Sequence, residues 1–268
     1  MRHITKGVVT LCFVALFIVA ACGNDSRSTN ENASSEEGQL TVEEGKFIFA
    51  LSGEYRPFSY VDENGELVGF DVDIGMAIAE ELGLEGEPYQ ITFNSIILGL
   101  QDKRYDAIVG SLAITNEREE QVDFSDPYYY SGAQLFVRED SDITDFTDID
   151  ENTEVAVAEG TTYHDMIVDY TSKVATYDSD VVALQALAQG RHDAVITDRL
   201  VGLINIQEQG LDLKMVGDLI DTEEMAIPVR KGETELLNAI NEALANIRAS
   251  GKYEEINSKY FDENIGEK

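Results

Sequence analysis

Small residues, hydroxyls and a cation are gathered in one short stretch, Gly110-Ser111-Leu112-Ala113-Ile114-Thr115-Asn116-Glu117-Arg118. The run before it, Asp106-Ala107-Ile108-Val109, is short and apolar, the pattern of a buried strand. Residues 116–121 are charged and open like a helix. A strand ending in small residues exposes backbone N–H groups, a helix start adds partial positive charge, and Arg118 offers a two-pronged donor. Together they suit a carboxylate. The same residues also fit an ordinary strand-to-helix turn with a surface Arg, and the stretch alone does not choose.

The elements that must position this stretch occur twice. Leu100-Gln101-Asp102-Lys103-Arg104-Tyr105-Asp106-Ala107-Ile108-Val109-Gly110-Ser111 is echoed by Leu187-Ala188-Gln189-Gly190-Arg191-His192-Asp193-Ala194-Val195-Ile196-Thr197-Asp198. Each copy follows an apolar helix, expected over 95–101 and 180–188. Each passes a basic turn into an Asp-Ala-aliphatic strand and ends in small or polar residues. Ligands of open α/β sheets sit just outside such strand ends. Two copies suggest two α/β lobes facing one cleft, with Asp198 opposite Ser111, although helix–turn–strand units look alike in any α/β protein and the echo alone does not choose.

Residues 131–137 carry the chain out of the first lobe and residues 222–229 return it. The first lobe is then discontinuous, 46–132 and 225–268, with the second, 133–224, inserted. A strand is expected at Lys46–Leu51, a hairpin turn at Asp62-Glu63-Asn64-Gly65, and a helix with Ile74, Ala77, Ile78 and Leu82 on one face, capped by Gly83. The strand at Val155–Ala158 opens into Glu159-Gly160-Thr161-Thr162, and a short strand covers 215–217. Leu236, Leu237, Ile240, Ala243, Leu244 and Ile247 mark a last long helix, broken by Gly251.

At the start of the chain, Arg2, His3 and Lys6 precede an uncharged apolar run over 7–21. This is the layout of a secretory signal, and the run is short for a membrane span. It ends Val19-Ala20-Ala21-Cys22, which resembles the lipobox of bacterial lipoproteins. That resemblance implies a signal peptide over 1–21, cleaved before Cys22. It also implies lipid, palmitate included, on that residue, and anchoring at the extracellular face of the bacterial cell membrane. Cys12 leaves with the signal, so no disulfide forms in the mature chain. Residues 22–45 are polar enough to be a disordered tether. The formal charge of −33 excludes nucleic acid as a partner and repels anionic head groups. It suits a salty exterior, where screening reduces self-repulsion.

The run Gly69-Phe70-Asp71-Val72-Asp73-Ile74, continuing to Leu82, is similar to the signature of family 3 solute-binding proteins, the extracellular receptors of polar amino-acid ABC importers. Ile114-Thr115-Asn116-Glu117-Arg118, Asp123-Phe124-Ser125-Asp126-Pro127-Tyr128-Tyr129 and the stretch from Gly251-Lys252-Tyr253 to Lys259-Tyr260-Phe261 agree with it. The resemblance spans about residues 46–262. It implies an α/β, two-lobed periplasmic-binding-protein-like fold of type II, with a two-segment hinge. It further implies an amino-acid ligand, ABC permease and ATPase partners, a monomer, no cofactor and no enzymatic activity. Carried over residue by residue, Arg118 pairs the ligand α-carboxylate, and backbone N–H groups near Ala113 and at Thr161 and Thr162 add donors. Asp198 pairs the α-ammonium, helped by the carbonyl of Gly110 or Ser111. Tyr55 and Phe93 sandwich the side chain.

Departures from the family pattern narrow the ligand. Ala113 stands where many relatives carry Ser or Thr. Ser52 stands where receptors for cationic amino acids and glutamine carry Asp, which favours a neutral polar amino acid or cystine. Ala158 lacks a polar side chain, and Glu54 and Glu159 face either ligand or water. Two other functions fit the fold: a dehydratase of prephenate- or arogenate-like acids, and a ligand-sensing lipoprotein, including one for an ectoine-like compatible solute. Against the enzyme, His164 and His192 are expected at the surface, and no metal-ligand spacing or Ser/His/Asp arrangement is present.

Overall fold

The computed structural model describes residues 40–267. The signal run, Cys22 and most of the tether lie outside the described residues. The first part of the chain comprises β1 (Lys46–Leu51), β2 (Glu54–Tyr55), β3 (Ser59–Val61), β4 (Leu67–Val68), α1 (Phe70–Leu82) and β5 (Glu85–Gln90). There follow α2 (Ile96–Gln101), β6 (Ala107–Ile108), β7 (Leu112–Ala113), α3 (Asn116–Glu119), β8 (Val122–Phe124) and β9 (Tyr129–Ser131). The middle comprises β10 (Ala133–Arg138), β11 (Val155–Ala158), α4 (Thr162–Ile167), β12 (Val174–Tyr177), α5 (Asp180–Ala188), β13 (Ala194–Asp198), α6 (Arg199–Gln209) and β14 (Leu213–Val216). The chain closes with β15 (Glu223–Ala226), β16 (Pro228–Arg230), α7 (Thr234–Ala249) and α8 (Lys252–Tyr260).

Two five-stranded sheets carry two α/β lobes, in the orders β5-β1-β6-β16-β8 and β12-β11-β13-β10-β14. In each, the first three strands are parallel and the fourth runs antiparallel to both its neighbours. The echoed strands of the sequence, β6 and β13, hold the same central place in their sheets. The echo is a repeated half-fold.

Each sheet buries both faces, as parallel strands require. Phe47, Phe49 and Leu51 of β1 pack with Ile74 and Ile78 of α1, Ile240 and Leu244 of α7 and Tyr253 of α8. The alternate residues Ile48 and Ala50 meet Ile96, Leu100 and Tyr105. In the second lobe Leu135 and Val157 join Tyr163 and Ile167, while Phe136 and Ala156 join Leu184 and Leu187. Each fully buried aliphatic or Phe side chain contributes about 1.5–3 kcal/mol. The expected face of α7 is buried, with Leu237 packed at its edge. Gly83 caps α1 in the left-handed conformation, at φ 69°. The turn between β3 and β4 forms as expected, Asp62 Oδ1 accepting from the N–H groups of Asn64 and Glu66 at 2.9 Å each.

The lobes are joined by two crossings that pair with each other. β9 leads into β10 of the second sheet, and β15 leads back into β16 of the first. They run antiparallel, with Tyr129 opposite Met225 and Ser131 opposite Glu223, and β7 adds to the other edge of β15. Gly132 follows directly. A Cβ there would lie 1.8 Å from the Asp221 carbonyl oxygen, so only glycine permits the approach.

One expectation fails. His192, placed at the surface by its basic turn, is buried. The Arg138 side chain folds over that turn and donates to the His192 carbonyl, and the His192 ring lies 2.5 Å from Tyr177 Oη through Nε2.

Candidate functional site

A cavity of about 570 Å³, its open mouth included, lies between the lobes. From the first lobe Ser52, Tyr55, Phe93, Gly110, Ser111, Ala113 and Arg118 line it, and from the second Thr161 and Thr162. Asp198 does not line it directly.

Arg118 reaches the cleft because Thr115 caps α3, its Oγ1 accepting from the Arg118 N–H at 3.2 Å. Its Nη1 donates to the Ala113 carbonyl at 2.9 Å, and its Nη2 crosses the cleft to the Gly160 carbonyl at 3.2 Å. The guanidinium also lies 5.9 Å from the centre of the Phe93 ring. Both hydrogen-bond partners are neutral carbonyls, which fix the fork without cancelling its charge. Burial lowers its pKa from the usual arginine value, and Glu223 opposes that shift.

The first strand end is held by a buried acid that sequence reading used only as part of a signature. Ser111 adopts φ 58°, unusual for a residue with a Cβ. Its Oγ donates to Asp71 Oδ2 at 2.8 Å and its N–H donates to Tyr128 Oη at 3.0 Å. Tyr128 Oη in turn donates to Asp71 Oδ1 at 2.7 Å. Asp71 is fully buried, and burial pushes its pKa up to about 7 against the pull of these two hydroxyls. The signature Asp on α1 thus fixes the backbone at the end of the apolar strand.

At the second strand end, Asp198 is fully buried and caps α6. Its Oδ1 accepts from the N–H groups of Leu200 at 2.8 Å and Val201 at 3.2 Å, and the Ser131 hydroxyl lies beside the carboxylate. Burial pushes its pKa up to about 6. On the other wall, Thr161 caps α4, accepting from the His164 N–H at 3.2 Å and donating to the Ala158 carbonyl at 2.8 Å.

Sequence reading missed Tyr163, Asp178, Ser179, Asp180, Glu223 and Met225, which also line the cavity. Residues 178–180 were within reach of the strand-end rule, since they follow β12 and open α5. Glu223 was not, because it stands on a crossing strand. Asp180 is buried, accepts from Thr197 Oγ1 at 2.6 Å, and has its pKa pushed up to about 6 by burial. Tyr163 and Glu223 are enclosed side by side; burial raises the Glu223 pKa, and the hydroxyls of Thr162 and Tyr163 beside its carboxylate oppose that shift. Glu54, Glu159 and Asp178 line the mouth and are exposed. Among the described residues no group of acids, histidines or cysteines is placed to hold a metal ion.

Residues 47–263 match the family profile of bacterial extracellular solute-binding proteins, family 3. The chain is 31% identical to an L-cystine-binding protein of Escherichia coli (strain K12), over 86% of this chain and 89% of that one. It is 32% identical to a probable amino-acid-binding protein of Bacillus subtilis (strain 168), over 97% and 96%. Among solved structures, an ancestral arginine-binding protein bound to glutamine superposes with a TM-score of 0.78 at 37% identity. That likeness covers 82% of this chain and all of the other.

Proposed function

The chain belongs to the bacterial extracellular solute-binding proteins, family 3, and from that premise we propose that it is the substrate-binding component of an ABC importer, taking a polar amino acid between its lobes. The observation that supports this reading best is the fork of Arg118. It is charged, half-buried, held only by carbonyls, and shared between the lobes. A ligand carboxylate accepts two parallel N–H bonds from such a fork. The carboxylate of Asp198, buried behind the cavity wall at the end of β13, accepts from the ligand ammonium, together with the carbonyl of Gly110 or Ser111. Tyr55 and Phe93 flank the ligand side chain, with a cation–π share of about 0.5–2 kcal/mol where that side chain is charged.

The mechanism is closure. Arg118 and Asp198 belong to different lobes, so a ligand that pairs with both favours the closed arrangement by its extra contacts there. The permease and ATPase then respond to that shape. In this reading the first lobe comprises 46–132 and 225–268 and the second 133–224, the body is a monomer, and Cys22 carries the lipid that holds it outside the membrane.

A thermal-shift screen against the amino acids and ectoine tests the ligand class, because a ligand that binds only the folded state raises the melting temperature. Small-angle scattering with the best ligand then shows compaction. Stabilisation by ectoine alone, or no change in shape with any stabilising amino acid, overturns the reading. Mass spectrometry of the membrane-extracted protein checks for a lipidated N-terminal Cys22.

A further inference from the structure

We infer that Arg56, Asn205 and Glu208 form a latch outside the cleft, which holds the two lobes together whatever amino acid lies between them and makes these three positioning residues for binding. The inference rests on reading the cleft as a site that closes. α6 has two packed faces. On one, Gly202 lies so near the Phe136 ring that a Cβ would stand 2.1 Å from it, and Leu203 and Ile206 join the same core of the second lobe. On the other, Leu200, Val201 and Ile204 join the core of the first lobe, with Tyr55 and Phe58. Arg199 begins α6 beside the crossing, its N–H donating to the Gly132 carbonyl at 3.1 Å, and its side chain pairs with Glu263 of the C-terminal segment. Glu208 stands near the other end of the helix, about 14 Å on.

Along this seam lies a groove of about 1400 Å³, open solvent included, with Tyr60 and Tyr260 of the first lobe on one wall and Leu203 and Gln207 of the second on the other. Polar contacts bridge it. Arg56 Nε lies 2.8 Å from Glu208 Oε2. The Arg56 guanidinium sits 4.0 Å from the centre of the Tyr60 ring, which steadies the cation at the groove. Asn205 is buried; its Nδ2 donates to the Arg56 carbonyl at 3.3 Å and to the Val201 carbonyl at 2.8 Å, and its Oδ1 accepts from Gln209 Nε2 at 2.8 Å. Arg56 directly follows Tyr55, so the segment that presents a ring to the cleft is the one the latch grips. None of the three latch residues lines the cleft itself. Rotation about the crossings moves the far end of α6 more than its start, so opening parts Arg56 from Glu208 while Arg199 keeps Glu263. A half-exposed pair is weak by itself. Here it acts on the balance of open and closed forms, where a factor of a few in population is a factor of a few in affinity.

Small-angle scattering of the full chain in low salt tests the latch with no ligand added. Glu208→Arg sets two cations face to face and should give a larger radius of gyration than the unaltered protein. Adding Arg56→Glu reverses the pair and should restore the compact shape, which a merely structural defect in α6 would not allow. Calorimetric titration with arginine, glutamine and cystine gives a second readout. Each of these that binds should bind Glu208→Arg about three- to tenfold more weakly, by a common factor, and the charge-swapped protein within about twofold of the original. These differences should fade at high salt. An unchanged radius, a folded swap that fails to restore it, or a loss confined to one amino acid overturns the latch while the amino-acid site stands. Should no amino acid bind the folded protein, the amino-acid reading falls, and the radius alone decides the latch.

Discussion

Arg118 and the buried acids set the behaviour of single residues. Arg118→Ala should weaken the best amino acid by about 2–5 kcal/mol in calorimetry, since the ligand carboxylate is then buried without its partner. Arg118→Lys should recover only part of that, because an ammonium cannot make two parallel bonds. Asp198 must be ionised to pair an ammonium, and its pKa in the unliganded protein is about 6. Affinity should therefore be flat around neutrality, where the ligand ammonium is also charged, and fall about tenfold per pH unit below 6, read from titrations across that range. The unliganded fold has the opposite slope. Asp71, Asp180 and Asp198 have folded pKa values raised above the unfolded one, so the folded state holds extra protons between about pH 4 and 7. Stability from these groups is full at the acid end of that window and is lost as pH rises through 6 to 7. The lowered acids Asp62, Asp123, Asp148 and Asp150 titrate below 3.8 and do not oppose this. The melting temperature without ligand should thus be higher at pH 5 than at pH 7.5.

At the scale of elements, the sequence shows what is locally periodic and hides what is joined at long range. The echo around Asp106 and Asp193 announced two like half-folds, and the hairpin at Asp62 and the α7 face were legible from turn chemistry and 3.6-residue spacing. β5 was not, because Glu85, Gly86, Glu87 and Pro88 carry none of the β-branched or apolar residues that mark a strand. Pro88 is tolerated because β5 is an edge strand, paired only with β1. The crossing sheet was hidden for a different reason: β7, β9 and β15 are short, and their pairing spans more than 90 residues. Hence Arg118 was found from its motif, and Glu223, which only that pairing brings to the cleft, was missed. The crossings also make a firm prediction. Gly132→Ala pushes a methyl group into the Asp221 carbonyl, and should cost about 1–3 kcal/mol in denaturant unfolding.

For the whole molecule, charge and hinge act together. A formal charge of −33 opposes compaction, and exposed bridges such as Arg56–Glu208 at 2.8 Å offset it by only about 0.2–1 kcal/mol each. Screening should therefore outweigh the loss of such bridges, and the melting temperature should rise between low and moderate salt; a fall would show that the bridges dominate. The paired crossings carry a mechanical consequence. Two antiparallel strands hydrogen-bonded side by side form a ribbon, which twists about its long axis far more readily than its strands slide past each other. Torsion of one ribbon then governs how far the lobes open, so a whole-body state reduces to one angle. The body after residue 22 has no cysteine, so a dye pair placed at the exposed Leu98 and Val182, one on each lobe, would report that angle directly and turn the receptor into a gauge of its own ligand.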